Sequence, residues 1–291
     1  MMLKQLIKAG FVLLVGASLA ACGNQGSDGT SNLGDIMVVS REDGSGTRGA
    51  FVDITGVLEK SGDIEVDQTT KAATIQNNTE GVVGTVSGNP SAIGYVSLGS
   101  LTDVVKAVKI DGVAPSNETV LDGTYPIQRP FNIVWKESLS KQAQDFITFI
   151  HSSDGQAIVT DKKYVAAKTD SQAYQATPQS GTISIVGSTS VTPLMEQLAE
   201  AYQVLQPDVK IDITSNGSSA GVTAVHEGVA DIGMVSRELK DKEKPGLTAD
   251  VIALDGIAVV INKDNPLESL TAQEVKEIYT GKLLTWNEIG E

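Results

Sequence analysis

Three short segments rich in Gly, Ser and Thr carry the residues best suited to chemistry in this sequence. They are REDGSGTR (41–48), VGSTSVTP (186–193) and SNGSSAG (215–221). Each lies between a strand-like run and a helix-like run, so its free N–H groups would stand at the positive end of a helix dipole. Such turns bind anions, and Arg41 adds a bidentate donor. One segment alone would reflect the preference of helix N-termini for Ser and Thr; three together predict an anion-binding site.

Two of these segments also match enzyme motifs. GSGTRG (44–49) fits the dinucleotide pattern G-x-G-x-x-G with Asp67 downstream, but three residues separate its first Gly from the preceding strand, where the pattern needs a tight turn. GSSAG (217–221) fits the hydrolase elbow around Ser219, which needs an acid and then a His later in the chain. The later His, His226, falls in the helix-like run that follows this segment and would face away from the elbow. Both enzyme interpretations are disfavoured, and no catalytic residue is predicted.

Composition narrows the remaining function classes. The chain has 291 residues, enough for two domains, and a formal net charge of −14. The acidic balance and the lack of a basic stripe argue against nucleic acid as a partner. Two histidines and one cysteine offer little for a transition-metal site. We therefore expect neither a metal nor a cofactor.

The N-terminus carries a targeting signal. Two lysines precede an apolar run over 9–21, which is too short to span a bilayer as a stable helix. The run ends in LAAC at the sole cysteine, Cys22, and resembles the bacterial lipoprotein signal; an ordinary secretion signal is the alternative. We expect residues 1–21 to be a signal peptide, Cys22 to be lipidated, and residues 22–33 to form a flexible tether. The protein would then be extracytoplasmic and lipid-anchored to the cell membrane.

Strand-like and helix-like runs alternate along the rest of the chain. The predicted strands are 35–40, 92–98, 131–135, 182–188, 209–215 and 250–262. The predicted helices are 48–60, 140–152, 192–205 and 271–281. This alternation predicts an α/β fold with mainly parallel sheets covered by helices. A polar stretch over 169–181 interrupts the pattern, which then restarts.

Longer segments resemble the phosphate-binding proteins of ABC phosphate importers. ISIVGSTSVTPLMEQLAEAY, SNGSSAGVTAVHEGVADIGMVSREL and DGIAVVINKDNP are similar to the front half of that family, and EVKEIYTGKLLTWNEIG to its middle. VVSREDGSGTR, AIGYVSLGSL and YPIQRPFNIVW are similar to its back half. The resemblance covers nearly everything after residue 33, but in this chain the back half comes first. The order resembles a circular permutation within the family.

The resemblance implies a two-domain, periplasmic-binding-protein-like fold of type II with mixed or parallel sheets, circularly permuted. It places an arginine lobe at 34–130 plus 261–291 and a continuous lobe at 131–260. A hinge of two strands is expected at 131–135 and 257–262. The polar stretch noted above would join the family's usual termini.

The resemblance also implies a function, namely capture of inorganic phosphate between the lobes and delivery to the permease subunits of an ABC transporter, without enzymatic activity. The phosphate-binding residues carried over from the family are Arg41, Ser45, Gly46, Thr47, Thr189, Ser190, Ser218 and Ser236. Asp43 is expected to orient Arg41, and Arg237 to add a second cation.

One site residue departs from the family pattern. Ser236 stands where many members have an Asp, whose carboxylate accepts the phosphate proton and repels deprotonated anions such as sulfate. This departure leaves open the alternative of a binding protein for another tetrahedral oxyanion. Because fold does not fix function, a second alternative is an extracellular adhesin or phosphoesterase on the same fold.

Overall fold

The structure, a computed structural model, describes residues 33–62 and 64–290 of the chain. The predicted signal peptide, the predicted lipidation site at Cys22 and the tether up to residue 32 lie outside the described residues. Among the helices of the described part, none has the length and apolar character needed to cross a membrane.

Helices and strands alternate through the described residues. The helices are α1 (Gly46–Ile54), α2 (Thr79–Ser87), α3 (Asn117–Leu121), α4 (Lys141–His151), α5 (Ser153–Asp161), α6 (Thr192–Leu205), α7 (Ser218–Glu227) and α8 (Ala272–Tyr279). The strands are β1 (Met37–Arg41), β2 (Leu58–Ser61), β3 (Ile64–Asp67), β4 (Thr74–Gln76), β5 (Ala92–Ser97), β6 (Val105–Ala107), β7 (Lys109–Ile110), β8 (Gln128–Trp135), β9 (Val165–Ala166), β10 (Gly181–Gly187), β11 (Val209–Ser215), β12 (Ile232–Val235), β13 (Thr248–Asn262) and β14 (Ser269–Leu270).

One predicted helix was wrong at its C-terminal end. The apolar pattern predicts a helix over 48–60, but α1 ends at Ile54. Gly56 follows with a φ of +71°, a left-handed conformation that commonly terminates helices because glycine adopts it without steric cost. The chain then turns into β2, which pairs antiparallel with β3.

The main sheet consists of two parallel wings joined by long antiparallel strands. Its strand order is β11-β10-β12-β8-β13-β5-β1-β4, and β6 and β9 also pair with β13. In one wing β10 pairs parallel with β11 and β12, and in the other β1 pairs parallel with β4 and β5. The strands β8 and β13 run antiparallel to each other and connect the wings. The predicted α/β class with mixed sheets is confirmed.

The chain passes twice between two large hydrophobic cores. It leaves the core of the arginine lobe between Ile127 and Phe131, at the start of β8, and returns to it between Ala253 and Ile257 in β13. Both crossings begin before the predicted hinge segments. The crossing in β13 comes before residue 257 because residues 257–261 already pair with β5 of the arginine lobe. The continuous lobe therefore ends earlier than the predicted residue 260.

The two ends of the described chain are adjacent. The N–H of Trp286 donates to the carbonyl of Gly34 at 3.1 Å, and the N–H of Ile36 donates to the carbonyl of Leu284 at 2.7 Å. The Trp286 side chain is fully buried, and its Nε1 donates to the carbonyl of Ser91 at 3.0 Å. The segment after α8 thus packs into the arginine lobe beside β1.

The polar stretch over 169–180 forms neither helix nor strand, but it is anchored to the continuous lobe. The hydroxyl of Tyr174 accepts a hydrogen bond from Gln206 Nε2 at 2.8 Å and donates to Asp145. Gln206 Nε2 also donates to the carbonyl of Thr177 at 2.8 Å. The stretch therefore follows one defined path along this lobe.

Candidate anion-binding site

The N-terminal turns of four helices converge between the lobes. In the arginine lobe α1 begins at Gly46 and α2 at Thr79; in the continuous lobe α7 begins at Ser218, and the loop before α6 contains Ser188–Ser190. Each helix follows a strand of a parallel wing, and the carboxyl ends of parallel strands meet at one edge of a sheet. Each helix therefore directs the positive end of its dipole toward this edge.

Seven buried hydroxyl groups from both lobes lie in two groups that are joined by the N–H of Ser190, which donates to Ser188 Oγ at 3.2 Å; together we call them the hydroxyl cluster. Its members are Thr47, Thr79, Ser188, Thr189, Ser190, Ser218 and Ser236. Between the lobes, Thr47 Oγ1 lies 2.7 Å from Ser190 Oγ. Thr79 Oγ1 lies 3.3 Å from Thr189 Oγ1 and 3.4 Å from Ser190 Oγ. Ser188 Oγ lies 2.8 Å from Ser236 Oγ, which lies 3.4 Å from Ser218 Oγ.

Arg41 provides the guanidinium that contacts the hydroxyl cluster. The residue is only 2% exposed, and its Nη2 donates to Thr189 Oγ1 at 2.9 Å. Its Nη1 lies 3.5 Å from Thr79 Oγ1. The same guanidinium donates through Nε and Nη2 to the two carboxylate oxygens of Glu42 at 2.8 and 2.9 Å. Glu42 therefore fixes the orientation of Arg41 through a bidentate ion pair.

The prediction that Asp43 orients Arg41 was wrong. The Asp43 side chain is fully exposed, and its ion-pair partner is Arg48, with Nη1 3.5 Å from Oδ1. Asp43 lies in the turn between β1 and α1, whereas Glu42 lies directly beside Arg41 at the end of the strand. The adjacent carboxylate therefore takes the role that was predicted for the more distant one.

Gly46 brings the backbone of the arginine lobe against the serine hydroxyls of the other lobe. A Cβ atom at this position would lie 2.2 Å from Ser218 Oγ and 2.5 Å from Ser236 Oγ. Real Cβ atoms do not tolerate such distances. The first turn of α1 can therefore meet the hydroxyl cluster only with glycine at its start.

Ser45 differs from the other predicted site residues. Its Oγ accepts a hydrogen bond from the N–H of Arg48 at 3.3 Å and caps α1. Within the described chain, its hydroxyl makes no hydrogen bond to the seven members of the hydroxyl cluster. The structure thus brings Arg41, Gly46 and Thr47 directly against the opposite wall and gives Ser45 a capping role behind them.

Ser236 follows β12, and its backbone contacts a buried ion pair. Its N–H donates to Ser218 Oγ at 3.1 Å, and its carbonyl accepts from Arg129 Nη1 at 2.9 Å. Arg129 also donates to Asp255 Oδ2 from Nε and Nη2 at 3.1 and 3.0 Å. Burial raises the pKa of the Asp255 carboxyl, and the Arg129 guanidinium and the Ser97 hydroxyl oppose that shift.

Arg237 does not contribute an unpaired cation. Its Nη1 and Nη2 donate to the two oxygens of Glu243 at 2.7 and 2.8 Å, and Nη2 also donates to Ser219 Oγ at 3.2 Å. Although burial alone would raise the pKa of Glu243, hydrogen bonds from Arg237 and from the N–H of Lys240 hold that pKa below its usual value. Unlike Arg41, Arg237 makes no hydrogen bond to the described cluster hydroxyls, contrary to the predicted role as a second cation at the anion.

The two enzyme motifs find no catalytic partners among the described residues. Ser219 Oγ contacts Arg237 rather than a histidine, and His226 Nε2 lies 3.0 Å from the carbonyl of Glu243. Asp67, the acidic residue of the dinucleotide pattern, accepts from Arg48 Nε at 2.8 Å. No group of three or more His, Cys, Asp or Glu side chains suited to a metal occurs in the part that the structure describes.

Three residues of the candidate site were not predicted from the sequence. Thr79 begins α2, which Asn78 caps by accepting from the N–H of Gly81 at 2.7 Å. Asn is favoured at such N-caps, so the segment NNTEG carried a usable signal. Ser188 lies inside a segment that was singled out, but its hydroxyl was not assigned. No local signal distinguishes Glu42 from Asp43, since both follow Arg41 within two residues.

Comparisons with known proteins are consistent with this geometry. A family profile described as PBP superfamily domain matches residues 24–154 and 172–291. The phosphate-binding protein PstS 2 of Streptococcus pneumoniae is 57% identical over 290 residues, which cover 99% of this chain and 100% of that protein. The crystal structure of a phosphate-binding protein of a phosphate ABC transporter from S. pneumoniae is 61% identical with a TM-score of 0.72. It covers 88% of this chain and 100% of that chain.

A more distant relative matches over a shorter stretch. The phosphate-binding protein PstS of Pseudomonas aeruginosa is 37% identical over 134 residues, which cover 40% of this chain and 41% of that protein. The S. pneumoniae protein, in contrast, is collinear with this chain from end to end.

Proposed function

Because this chain belongs to the PBP superfamily and, within it, to the PstS phosphate-binding proteins, we propose that it captures inorganic phosphate between its two lobes and delivers it to the permease of an ABC importer. The observation that carries this proposal is the hydroxyl cluster, in which donors from four helix N-termini and Arg41 meet across the cleft. It is a transport function, and we assign no catalytic residue.

The donor set matches the chemistry of a tetrahedral dianion. A buried divalent anion loses its hydration and needs many hydrogen-bond donors in return. Hydroxyls and helix N–H groups provide neutral donors, and the guanidinium of Arg41 provides charge and planar geometry. The formal net charge of −14 does not oppose this binding, because helix dipoles and direct hydrogen bonds act at short range.

We further propose that the protein works outside the cytoplasm on a lipid anchor at Cys22. The sequence LAAC at the end of the apolar N-terminal run supports this assignment. The chain enters the arginine lobe at residue 33, so a tether attached there would keep that lobe near the membrane. The other lobe would then be free to swing during closure.

We infer that the chain is a circular permutation of the more common PstS order. The contact between Trp286 and Gly34 supports this inference, because it brings the two ends of the described chain together. In the more common order, these two segments would be one continuous stretch of chain. The collinear match to the S. pneumoniae protein and the partial match to the P. aeruginosa protein are also consistent with a permuted order that only some members share. Cuts of this kind are tolerated in exposed connections.

Phosphate uptake tests the proposed transport function. Cells that lack this gene are expected to take up radiolabelled phosphate more slowly at micromolar concentrations, and the intact gene is expected to restore the rate. A Cys22→Ser chain, which cannot be lipidated, is expected to restore it poorly while still binding phosphate after purification. Unchanged uptake in the deletion, with no other phosphate importer expressed, would contradict the transport role.

Selectivity against sulfate depends on the residue at position 236. No carboxylate accepts a hydrogen bond from the seven described cluster hydroxyls, and Ser236 accepts only as a neutral oxygen. We expect sulfate to compete measurably with phosphate in the parent protein. In Ser236→Asp, the ratio of sulfate to phosphate dissociation constants is expected to rise at least about ten-fold, since a carboxylate accepts the phosphate proton and repels sulfate.

The matched control for this prediction is Ser219→Asp. Ser219 contacts Arg237 outside the hydroxyl cluster, so this variant adds the same charge near the site without facing the anion. The ratio of sulfate to phosphate dissociation constants in this variant is expected to stay within about two-fold of the parent value. Equal ratios in Ser236→Asp and the parent, measured by competition calorimetry, would place the proton acceptor elsewhere.

A further inference from the structure

A buried ion pair lies where both crossing strands pass between the lobes. Arg129 belongs to β8 and Asp255 to β13, and their side chains are 1% and 0% exposed. Both carboxylate oxygens are occupied, since Oδ2 accepts from Arg129 and Oδ1 accepts from Ser97 Oγ at 2.8 Å. The guanidinium also packs over the ring of Phe131 at 5.2 Å. The pair is therefore fixed from several sides.

Stability alone does not explain such a pair. Removing two charges from water costs several kcal/mol per ion, and replacing a buried ion pair by apolar residues of similar volume is often neutral or stabilising. Arg129 donates to Asp255 from Nε and Nη2, and its third nitrogen, Nη1, donates to the carbonyl of Ser236. The pair thus connects the hinge to a member of the hydroxyl cluster.

The backbone of Ser236 is held on both sides. Its N–H donates to Ser218 Oγ at 3.1 Å, and its carbonyl accepts from Arg129. The next carbonyl, that of Arg237, accepts from Asn132 Nδ2 at 2.9 Å. A rotation of the peptide after Ser236 would turn the negative end of a carbonyl toward the anion site, which the hydrogen bond from Arg129 opposes.

We propose that Arg129 is a positioning residue for anion binding. Held by Asp255, it keeps the Ser236 carbonyl away from the anion and keeps the Ser236 hydroxyl in the cluster. This inference rests on the proposed function, because it assigns a role within the same site. Arg129 acts through Ser236 and is not itself a ligand of the anion.

A double variant separates positioning from stability. Arg129→Met combined with Asp255→Asn removes both charges while leaving an acceptor for Ser97. Its melting temperature is expected to stay near that of the parent, because no buried charge is left unpaired. Its dissociation constant for inorganic phosphate, measured by calorimetry well below the melting temperature, is expected to rise at least about ten-fold.

The matched control is Tyr125→Phe. The Tyr125 hydroxyl is buried at the same hinge and donates to the carbonyl of Ile257 at 2.9 Å, without contact to Ser236. This variant is expected to lower the melting temperature but to keep the phosphate dissociation constant within about two-fold of the parent. An equal loss of affinity in Tyr125→Phe would show that any hinge perturbation weakens binding, and would overturn the specific role of Arg129.

The remaining outcomes also decide the question. A folded double variant with parental affinity would overturn the inference and leave the phosphate-binding function intact. If the double variant does not fold, Arg129→Lys replaces it. Lysine keeps a cation beside Asp255, but its single nitrogen cannot replace the planar guanidinium that contacts both Asp255 and the Ser236 carbonyl. The same ten-fold loss is expected in Arg129→Lys, and parental affinity there would overturn the inference. If the parent protein itself binds no phosphate, the proposed function fails instead.

Discussion

Replacing Arg41 with alanine is expected to weaken phosphate binding by at least about 100-fold. Arg41 is 2% exposed and places a guanidinium against Thr189 and Thr79 at the centre of the cleft. Removing one partner of a buried, hydrogen-bonded charge pair costs about 2–5 kcal/mol. The variant also removes the cation that Glu42 orients, so a carboxylate without its partner remains beside the anion.

A thermal-shift series measures this effect directly. At 100 times its dissociation constant, phosphate stabilises a protein by roughly 2.7 kcal/mol. The parent is expected to show the corresponding rise in melting temperature, whereas Arg41→Ala at the same phosphate concentration is expected to show almost none. Arg48→Ala is not a suitable control, because Arg48 Nη1 donates to the Arg41 carbonyl at 3.0 Å. A full phosphate shift in Arg41→Ala would remove this residue from the site.

Replacing Gly46 with alanine is expected to abolish tight binding without removing any donor. The added Cβ atom would lie 2.2 Å from Ser218 Oγ and 2.5 Å from Ser236 Oγ, so the lobes must separate or both serines must move. Either response breaks the interlobe contacts that bring Thr47 to Ser190. Calorimetry is expected to show a phosphate dissociation constant raised at least about 100-fold.

Gly84→Ala provides the matched control. Gly84 lies within α2 of the same lobe, and a Cβ atom there would meet nothing within 4 Å. Alanine in a helix interior is favoured over glycine by about 0.5–1 kcal/mol, so this variant is expected to be slightly more stable and to bind phosphate normally. Parental affinity in Gly46→Ala would show that the anion does not bind where α1 meets the serines.

The parts of the site that the sequence predicted depend on local rules. A turn rich in Gly, Ser and Thr between a strand and a helix specifies donors at a helix N-terminus, whatever the rest of the fold does. Gly46 and Thr47 accordingly lie in the first turn of α1 and Ser218 in that of α7, and Arg41 is the last residue of β1. Their meeting across the cleft followed from the family resemblance and not from these rules, because no local pattern specifies which helix ends face one another.

The parts that were missed depend on tertiary geometry. Glu42 and Asp43 are chemically almost equivalent in the sequence, and only the turn geometry directs one of them to Arg41. The crossing in β13 falls at Asp255 and Gly256, which interrupt the apolar run where pairing passes from β8 to β5, but this interruption was not used in the prediction. The early end of α1 at Ile54 was also signalled, by Gly56 two residues later.

The fold class was predictable because its signals are redundant. Alternating strands and helices, polar turns and apolar faces all indicate an α/β architecture. The α/β class was accordingly predicted before any contact between the lobes was known. The buried pair of Arg129 and Asp255 had no such redundancy, since each residue occurs singly within a strand and finds its partner 126 positions away.

Calorimetric titration of inorganic phosphate into the unlipidated chain (residues 23–291), stripped of bound phosphate beforehand, tests the central claim most directly. We predict saturable binding of one phosphate per chain with a dissociation constant of about 1 μM or lower, corresponding to about −8 kcal/mol. The same titration of Gly46→Ala is predicted to give no saturation in that concentration range. A parent protein that is folded and phosphate-free but shows no saturable heat and no rise in melting temperature with phosphate would contradict the account.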